Sequence, residues 1–171
     1  MNWEATKVQL SPEKILIQCG PLNLIIEAYR KGEPCMKALN AAVKTALYCL
    51  LEVAKHRETC ITWIKDIQGD LNNPLPVSTM IHANRSVHFE MVTPMAAVAG
   101  TIAELSANST FREGATLVIC NNGGDIALRM APGENVTVGI NKGLQSRNGL
   151  SAKIKIDATS GIHGICTSGM G

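Results

Sequence analysis

The sequence predicts an α+β fold in which antiparallel sheets pack against helices. Short apolar segments bounded by glycine, proline or asparagine occur towards both ends of the chain, as meanders and hairpins require. Between them, residues 36–54 repeat apolar side chains at three- and four-residue steps, which is typical of an amphipathic helix.

Length and composition predict one globular domain of two halves, at about residues 1–73 and 74–171. Apolar residues make up 46% of the chain and charged residues 18%, which excludes a disordered chain. A net charge of +2 without a Lys/Arg cluster argues against a nucleic-acid partner. No apolar run is long enough to span a membrane, and residues 1–10 lack the apolar core of a secretory signal.

The six cysteines are dispersed and form no C-x-x-C pair. Their spacing fits neither a zinc site nor a disulfide framework, so we expect buried free thiols in a reducing cytoplasm. Cys166 is included in this expectation.

The pattern of the first half predicts a three-strand meander followed by a helix. The strands are predicted at Lys7–Leu10, Lys14–Cys19 and Leu22–Ala28, with proline or glycine between them. Pro34 suits the first position of the helix that carries the apolar stripe. The apolar stripe extends through Ile61, Ile64 and Ile67 unless Thr59 marks a break.

Aromatic side chains in this half are interpreted as core residues. Tyr48 and Trp63 lie in or just after the helical pattern, and we expect both to be buried. Residues 69–76 then form the clearest loop and separate the two halves.

The second half begins with a short strand predicted at Val87–Met91. Thr93 is the expected N-cap of the next helix, with Pro94 at its first position. The small residues of 96–100 allow either close packing against a neighbour or space for a bound molecule.

The central feature is a strand, glycine turn and strand at 116–130. Asn and Gly tolerate the positive φ that a tight hairpin needs, and two adjacent glycines let a ligand approach the backbone. A surface hairpin without function is the alternative. Two further strands are predicted at Asn135–Asn141 and Ala152–Asp157, joined by a basic loop, and residues 160–171 form a glycine-rich ending.

Three segments in a fixed order carry a resemblance to a known family. They are 94–100 at a helix start, 121–126 with its Gly-Gly-Asp turn, and 166–169 with its Thr-Ser-Gly turn. This set resembles the ApbE-like group, typified by transferases that attach FMN from FAD to a protein threonine with magnesium. The closer match is to an uncharacterised sister family with the same three motifs. The resemblance implies a T-fold-like architecture of antiparallel sheets and helices.

The resemblance also implies a cleft that binds FAD or FMN. Backbone N–H groups at a helix start and in glycine turns can hold phosphate, and hydroxyls can add hydrogen bonds. The implied ligand-binding residues are Ala99, Gly100, Asn122, Gly123, Gly124, Asp125, Thr167, Ser168 and Gly169.

Two departures separate this chain from the transferases. Ala99 stands where they carry a lysine, and the segment that holds their metal-binding Asp and Thr would follow Gly171. We therefore expect a C-terminally incomplete chain, with Mg²⁺ bound only if a missing segment is supplied. A sequence cut short, a proteolytic cut or a second polypeptide that supplies the remainder would each explain this ending. The expected partners besides a small-molecule ligand are this second polypeptide or a homo-oligomer.

Three functional hypotheses remain open, and the sequence does not decide whether the protein is an enzyme. The first is a protein that binds a flavin nucleotide or another phosphorylated small molecule. The second is an enzyme of different chemistry, self-processed or two-chain near residues 167–171. The third is a non-catalytic oligomeric domain. The catalytic candidates for the second hypothesis are Asp125, His88, His163, Thr167 and Cys166.

Overall fold

The computed structural model describes residues 3–69, 72–88, 91–140 and 152–166. Two short 3-10 turns, Ile64–Asp66 and Pro94–Ala97, accompany the helices. The helices are α1 (Met36–Lys55), α2 (Arg57–Ile61), α3 (Leu75–Ser86) and α4 (Val98–Arg112). The strands are β1 (Thr6–Ser11), β2 (Lys14–Cys19), β3 (Leu22–Arg30), β4 (Glu33–Pro34), β5 (Leu117–Asn122), β6 (Asp125–Met130), β7 (Asn135–Ile140), β8 (Ala152–Asp157) and β9 (Gly164–Cys166).

One antiparallel sheet runs through the described part of the chain in the order β1-β2-β3-β5-β6-β9, with β4 paired to the end of β3. The β3–β5 pairing joins the two predicted halves, so both contribute to a single sheet. Strands β7 and β8 form a separate two-stranded sheet. These features confirm the predicted α+β class with antiparallel sheets, and the T-fold-like architecture stays a prediction.

Strand alternation buries one face of the sheet beneath α1 and α4. Ile15 and Ile17 in β2, and Leu24 and Ile26 in β3, are at most 1% exposed. The two helices pack along each other and share this core. The shared core includes small residues of both helices, all fully buried: Ala38, Ala42, Ala46, Ala103 and Ala107.

The beginning of the first helix differs from the prediction. Pro34 lies in β4, opposite Tyr29, and α1 begins at Met36. Strand pairing therefore holds Pro34 extended, since its ring is compatible with an edge strand as well as with a helix start. The helix ends at Lys55, and the break falls at His56 rather than near Thr59, which lies within α2.

The predicted strand at Val87–Met91 is wrong in its described residues. Helix α3, which the sequence analysis missed, runs to Ser86, and the turn after it places His88 at a φ of 52°. Phe89 and Glu90 lie outside the described residues. The helix is stabilised by burial of a few residues in a second core cluster, a tertiary effect that a weak sequence pattern does not show.

Both aromatic core predictions are also wrong. Tyr48 is 48% exposed and Trp63 is 45% exposed, because α1 buries its stripe on another face and the chain after α2 runs along the surface. None of the helices in the described ranges is long and apolar enough to cross a membrane.

Candidate functional site

The central hairpin forms as predicted, with Gly123 and Gly124 as its two turn residues. Their φ angles are 64° and 106°, the left-handed conformations that a two-residue hairpin turn needs. The Asn121 side chain accepts a hydrogen bond from the Gly124 N–H at 2.9 Å. The Gly124 N–H therefore stabilises the turn itself.

Asn122 connects this turn to the beginning of α4. Its side chain is on the helix-facing side of β5, is 8% exposed, and donates from Nδ2 to the Ala99 carbonyl oxygen at 3.2 Å. Since Ala99 lies in the first turn of α4, this bond brings together two of the three segments that carry the resemblance. The predicted helix start at Thr93 and Pro94 is occupied by the 3-10 turn, and Thr93 makes no side-chain cap bond.

A groove of about 440 Å³ opens beside this bond, between α4 and strands β6 and β9. We call it the α4–β6 groove. Gly100 forms part of its helical wall, and a Cβ added there would meet no atom within 4 Å. The lining residues are Ala97, Gly100, Glu104, Asp125, Ile126, Ala127, Arg129, His163, Gly164, Ile165 and Cys166.

The far wall of the groove is β9, a short strand that the sequence analysis missed. Gly164 pairs with Ala127, and Cys166 pairs with Asp125 at the end of the hairpin. The Leu128 N–H donates to the His163 carbonyl oxygen at 2.8 Å, which extends this pairing. The strand was not predicted because it is only three residues long and follows a glycine-rich stretch.

An ion pair lies at the other end of the groove. The Arg129 Nη2 atom donates to Glu104 Oε1 at 2.8 Å, and its Nε atom donates to Asn108 Oδ1 at 2.5 Å. A third bond runs from Nη1 to the Leu128 carbonyl oxygen at 2.7 Å. The sequence analysis missed these residues, since a helix and a strand bring them together and only the four-residue spacing of Glu104 and Asn108 is visible in the sequence.

The cysteines of the described part are free, and five of the six are buried as predicted. Burial raises the pKa of the Cys49 thiol to about 11 and raises that of Cys120 further. Both thiols therefore stay protonated and poorly nucleophilic at neutral pH. The expectation for Cys166 is wrong: it is exposed, because β9 is an edge strand with one paired side.

The structure brings most of the described candidate residues together. Gly100, Asp125, His163 and Cys166 line the groove, Ala99 and Asn122 form the bond beside it, and the two turn glycines precede Asp125. His88 is placed elsewhere, in the turn after α3. Thr167, Ser168 and Gly169 lie outside the described residues.

The groove offers polar and charged groups but no metal cluster within the described ranges. No group of three His, Cys, Asp or Glu side chains there is arranged to hold a metal ion. Glu104 is already paired with Arg129, which leaves Asp125 as the carboxylate at the hairpin end. The open Cα of Gly100 leaves space for part of an organic ligand.

Comparison with known proteins identifies relatives of the chain. A family model described as AbpE bacteria matches residues 7–171. The UPF0280 proteins of Methanothrix thermoacetophila and Methanococcus vannielii are 39% and 37% identical over 97 and 99 residues. These matches cover 57% of this chain but only 38% and 39% of the relatives, so the aligned part spans well under half of their length.

Proposed function

This chain belongs to the AbpE bacteria family, and from that premise we propose that it binds a flavin nucleotide or another phosphorylated small molecule in the α4–β6 groove. Five buried free thiols fit the reducing, cytoplasmic location that we propose with it. The resemblance of three motifs to the ApbE-like group supports the ligand class.

The observation that carries the proposal is the Asn122–Ala99 hydrogen bond. It holds the glycine turn against the first turn of α4, and Gly100, the next residue of that helix, lines the groove with no side chain. A glycine that is free to accept a Cβ is not required by the packing of the protein. Space for a ligand is a physical reason for a glycine at a helix position where alanine would be more stable.

The polar groups of the groove suit a ligand whose two ends differ in their hydrogen-bonding and charged groups. Asp125, the first residue after the glycine turn, lies at one end, and the Glu104–Arg129 pair lies at the other. Ala127 and Ile165 line the groove between them and supply apolar surface. Such a mixture of an apolar wall and a few fixed polar groups is usual in small-molecule sites.

A binding titration tests the proposal. We expect FMN or FAD to bind the wild-type protein, measured by flavin fluorescence and calorimetry with and without Mg²⁺. The Gly100→Leu variant should lose binding because its side chain fills the groove, whereas Ala96→Leu, an exposed position in the preceding turn and outside the groove, should retain it. Failure of the wild-type protein to bind any phosphorylated ligand, or equal binding by both variants, would contradict the proposal.

A further inference from the structure

Arg129 is fixed in place before any ligand binds. Its guanidinium donates to Glu104 and Asn108, one turn apart on α4, and to the Leu128 carbonyl in β6. The side chain is 18% exposed and lines the groove. A long side chain that is already immobilised loses little conformational entropy when a ligand binds to it.

The bonds of this group leave donors and an acceptor for a ligand. A guanidinium carries five N–H donors, and the described residues accept from three of them. The Glu104 side chain is 48% exposed, and its Oε2 atom has no partner among the described residues. An N–H donor of Arg129 and a carboxylate acceptor of Glu104 thus stand side by side.

This pair lies at a distance from the hairpin end that suits the two ends of a nucleotide. Arg129 is four residues along β6 from Asp125, which corresponds to about 13 Å in an extended strand. A ligand whose ring system lies at Glu104 and Arg129 would therefore extend its other end towards Asp125.

We propose that Glu104 and Arg129 determine specificity by reading the hydrogen-bonding edge of a planar ring, and this inference rests on the proposed function. Arg129 donates to a ring carbonyl oxygen, and Glu104 accepts from the adjacent ring N–H. The imide edge of a flavin carries these two groups next to each other. A ligand whose ring edge lacks this adjacent carbonyl and N–H does not match the pair.

The competing explanation is that the Glu104–Arg129 ion pair only holds α4 against β6 and takes no part in ligand recognition. Ion pairs at the protein surface contribute little to stability, and the Glu104 side chain is half-exposed. If the pair were only structural, removing it would weaken the binding of every ligand equally. A specificity pair would instead change the preference between ligands that differ only at the ring edge.

The test compares FMN with FMN methylated on its imide nitrogen, which lacks the N–H donor. We expect methylation to weaken binding to the wild-type protein by about tenfold or more, the usual effect of losing one hydrogen bond to a charged group. In Glu104→Gln the amide oxygen can still accept from Arg129, but an amide N–H then faces the ring N–H. This variant should bind FMN about tenfold more weakly and methylated FMN as the wild type does.

Glu113→Gln, an exposed position just after α4 and outside the groove, is the matched control and should show the wild-type preference. Urea unfolding of Glu104→Gln separates a loss of stability from a change of preference. Equal affinity of the wild type for both ligands, or equal weakening of both in Glu104→Gln, would overturn the inference and leave the proposed function standing. Absence of binding of either flavin to the wild type would overturn the inference, and absence of binding of every phosphorylated ligand would overturn the proposed function as well.

Discussion

The buried amide of Asn122 donates to the carbonyl oxygen of Ala99 at 3.2 Å and thereby joins the end of β5 to the first turn of α4. The residues are 23 positions apart in the chain. Their contact places Gly100 and Asp125 on opposite walls of one groove. The packing of α4 on β5 and β6 thus sets the geometry of the candidate site, and this side-chain bond fixes the end of β5 to the first turn of the helix.

Asn122→Ala should lower the free energy of unfolding by about 1–3 kcal/mol, because the Ala99 carbonyl loses a buried partner. Urea unfolding measures the change. Asn135→Ala, at an exposed position in β7, is the matched control and should stay within about 0.5 kcal/mol of the wild type. Equal effects of the two substitutions would show that the Asn122 bond does not stabilise the fold.

Gly100→Ala should raise the free energy of unfolding by about 0.5–1 kcal/mol, since alanine is the better helix residue and its Cβ meets open space. The same Cβ enters the groove, so the affinity for FMN should fall while the fold becomes more stable. Thermal unfolding and the flavin titration measure the two effects. A less stable Gly100→Ala protein would mean that this part of α4 is packed more tightly than the structure shows.

Gly20→Ala should destabilise the protein by about 1–3 kcal/mol. Gly20 has a φ of 53°, and an added Cβ would lie 2.7 Å from the indole ring of Trp3. Gly133→Ala is the control, because Gly133 also has a positive φ, 92°, but open space around its Cβ position. Urea unfolding should show the larger loss for Gly20→Ala, and the difference measures the contact with Trp3. Similar losses would assign the effect to backbone strain alone.

Stability should fall as the pH rises from about 9 to about 11, and Cys49 should contribute to the fall. Burial raises the pKa of this thiol from 9.0 to about 11 in the folded protein. Above pH 9 the unfolded chain therefore releases a proton that the folded chain retains, which favours unfolding. Below pH 9 both states are protonated and the effect disappears.

Urea unfolding between pH 8 and pH 11 measures this dependence. The free energy of unfolding of Cys49→Ala should decline less steeply with pH than that of the wild type. It should also be lower than the wild-type value by a constant amount, because the substitution removes packing contacts. Cys166→Ala, which removes an exposed thiol, is the matched control. Parallel curves for the wild type and Cys49→Ala would show that this thiol does not titrate differently in the two states.

Local patterns in the sequence were sufficient for the fold class and for most of the strands. The meander of β1 to β3, the hairpin of β5 and β6, and the pair β7 and β8 follow from alternation between turn residues, which needs no distant partner to be recognised. The amphipathic stripe of α1 was equally visible. The turn of Gly123 and Gly124 was predicted because their positive φ is a local requirement.

Elements that depend on distant contacts were missed or misplaced. Helix α3 is stabilised by a core cluster to which the 3-10 turn at Ile64–Asp66 contributes, and β9 exists as a strand through its pairing with β6. Pro34 is held extended by β3 rather than at a helix start. In each case a tertiary contact outweighs the weak local preference of a short segment.

The sequence by itself determined the α+β class, the glycine turn and the three motifs that carry the resemblance, because these are encoded in consecutive residues. Only the tertiary structure decided which of the described candidates meet. It placed Gly100 and Asp125 around one groove, located His88 elsewhere, exposed Cys166, and assembled Glu104, Asn108 and Arg129 into a group. The physical reason is that the packing of α4 against β6, and not the spacing of residues along the chain, sets the distances between these side chains.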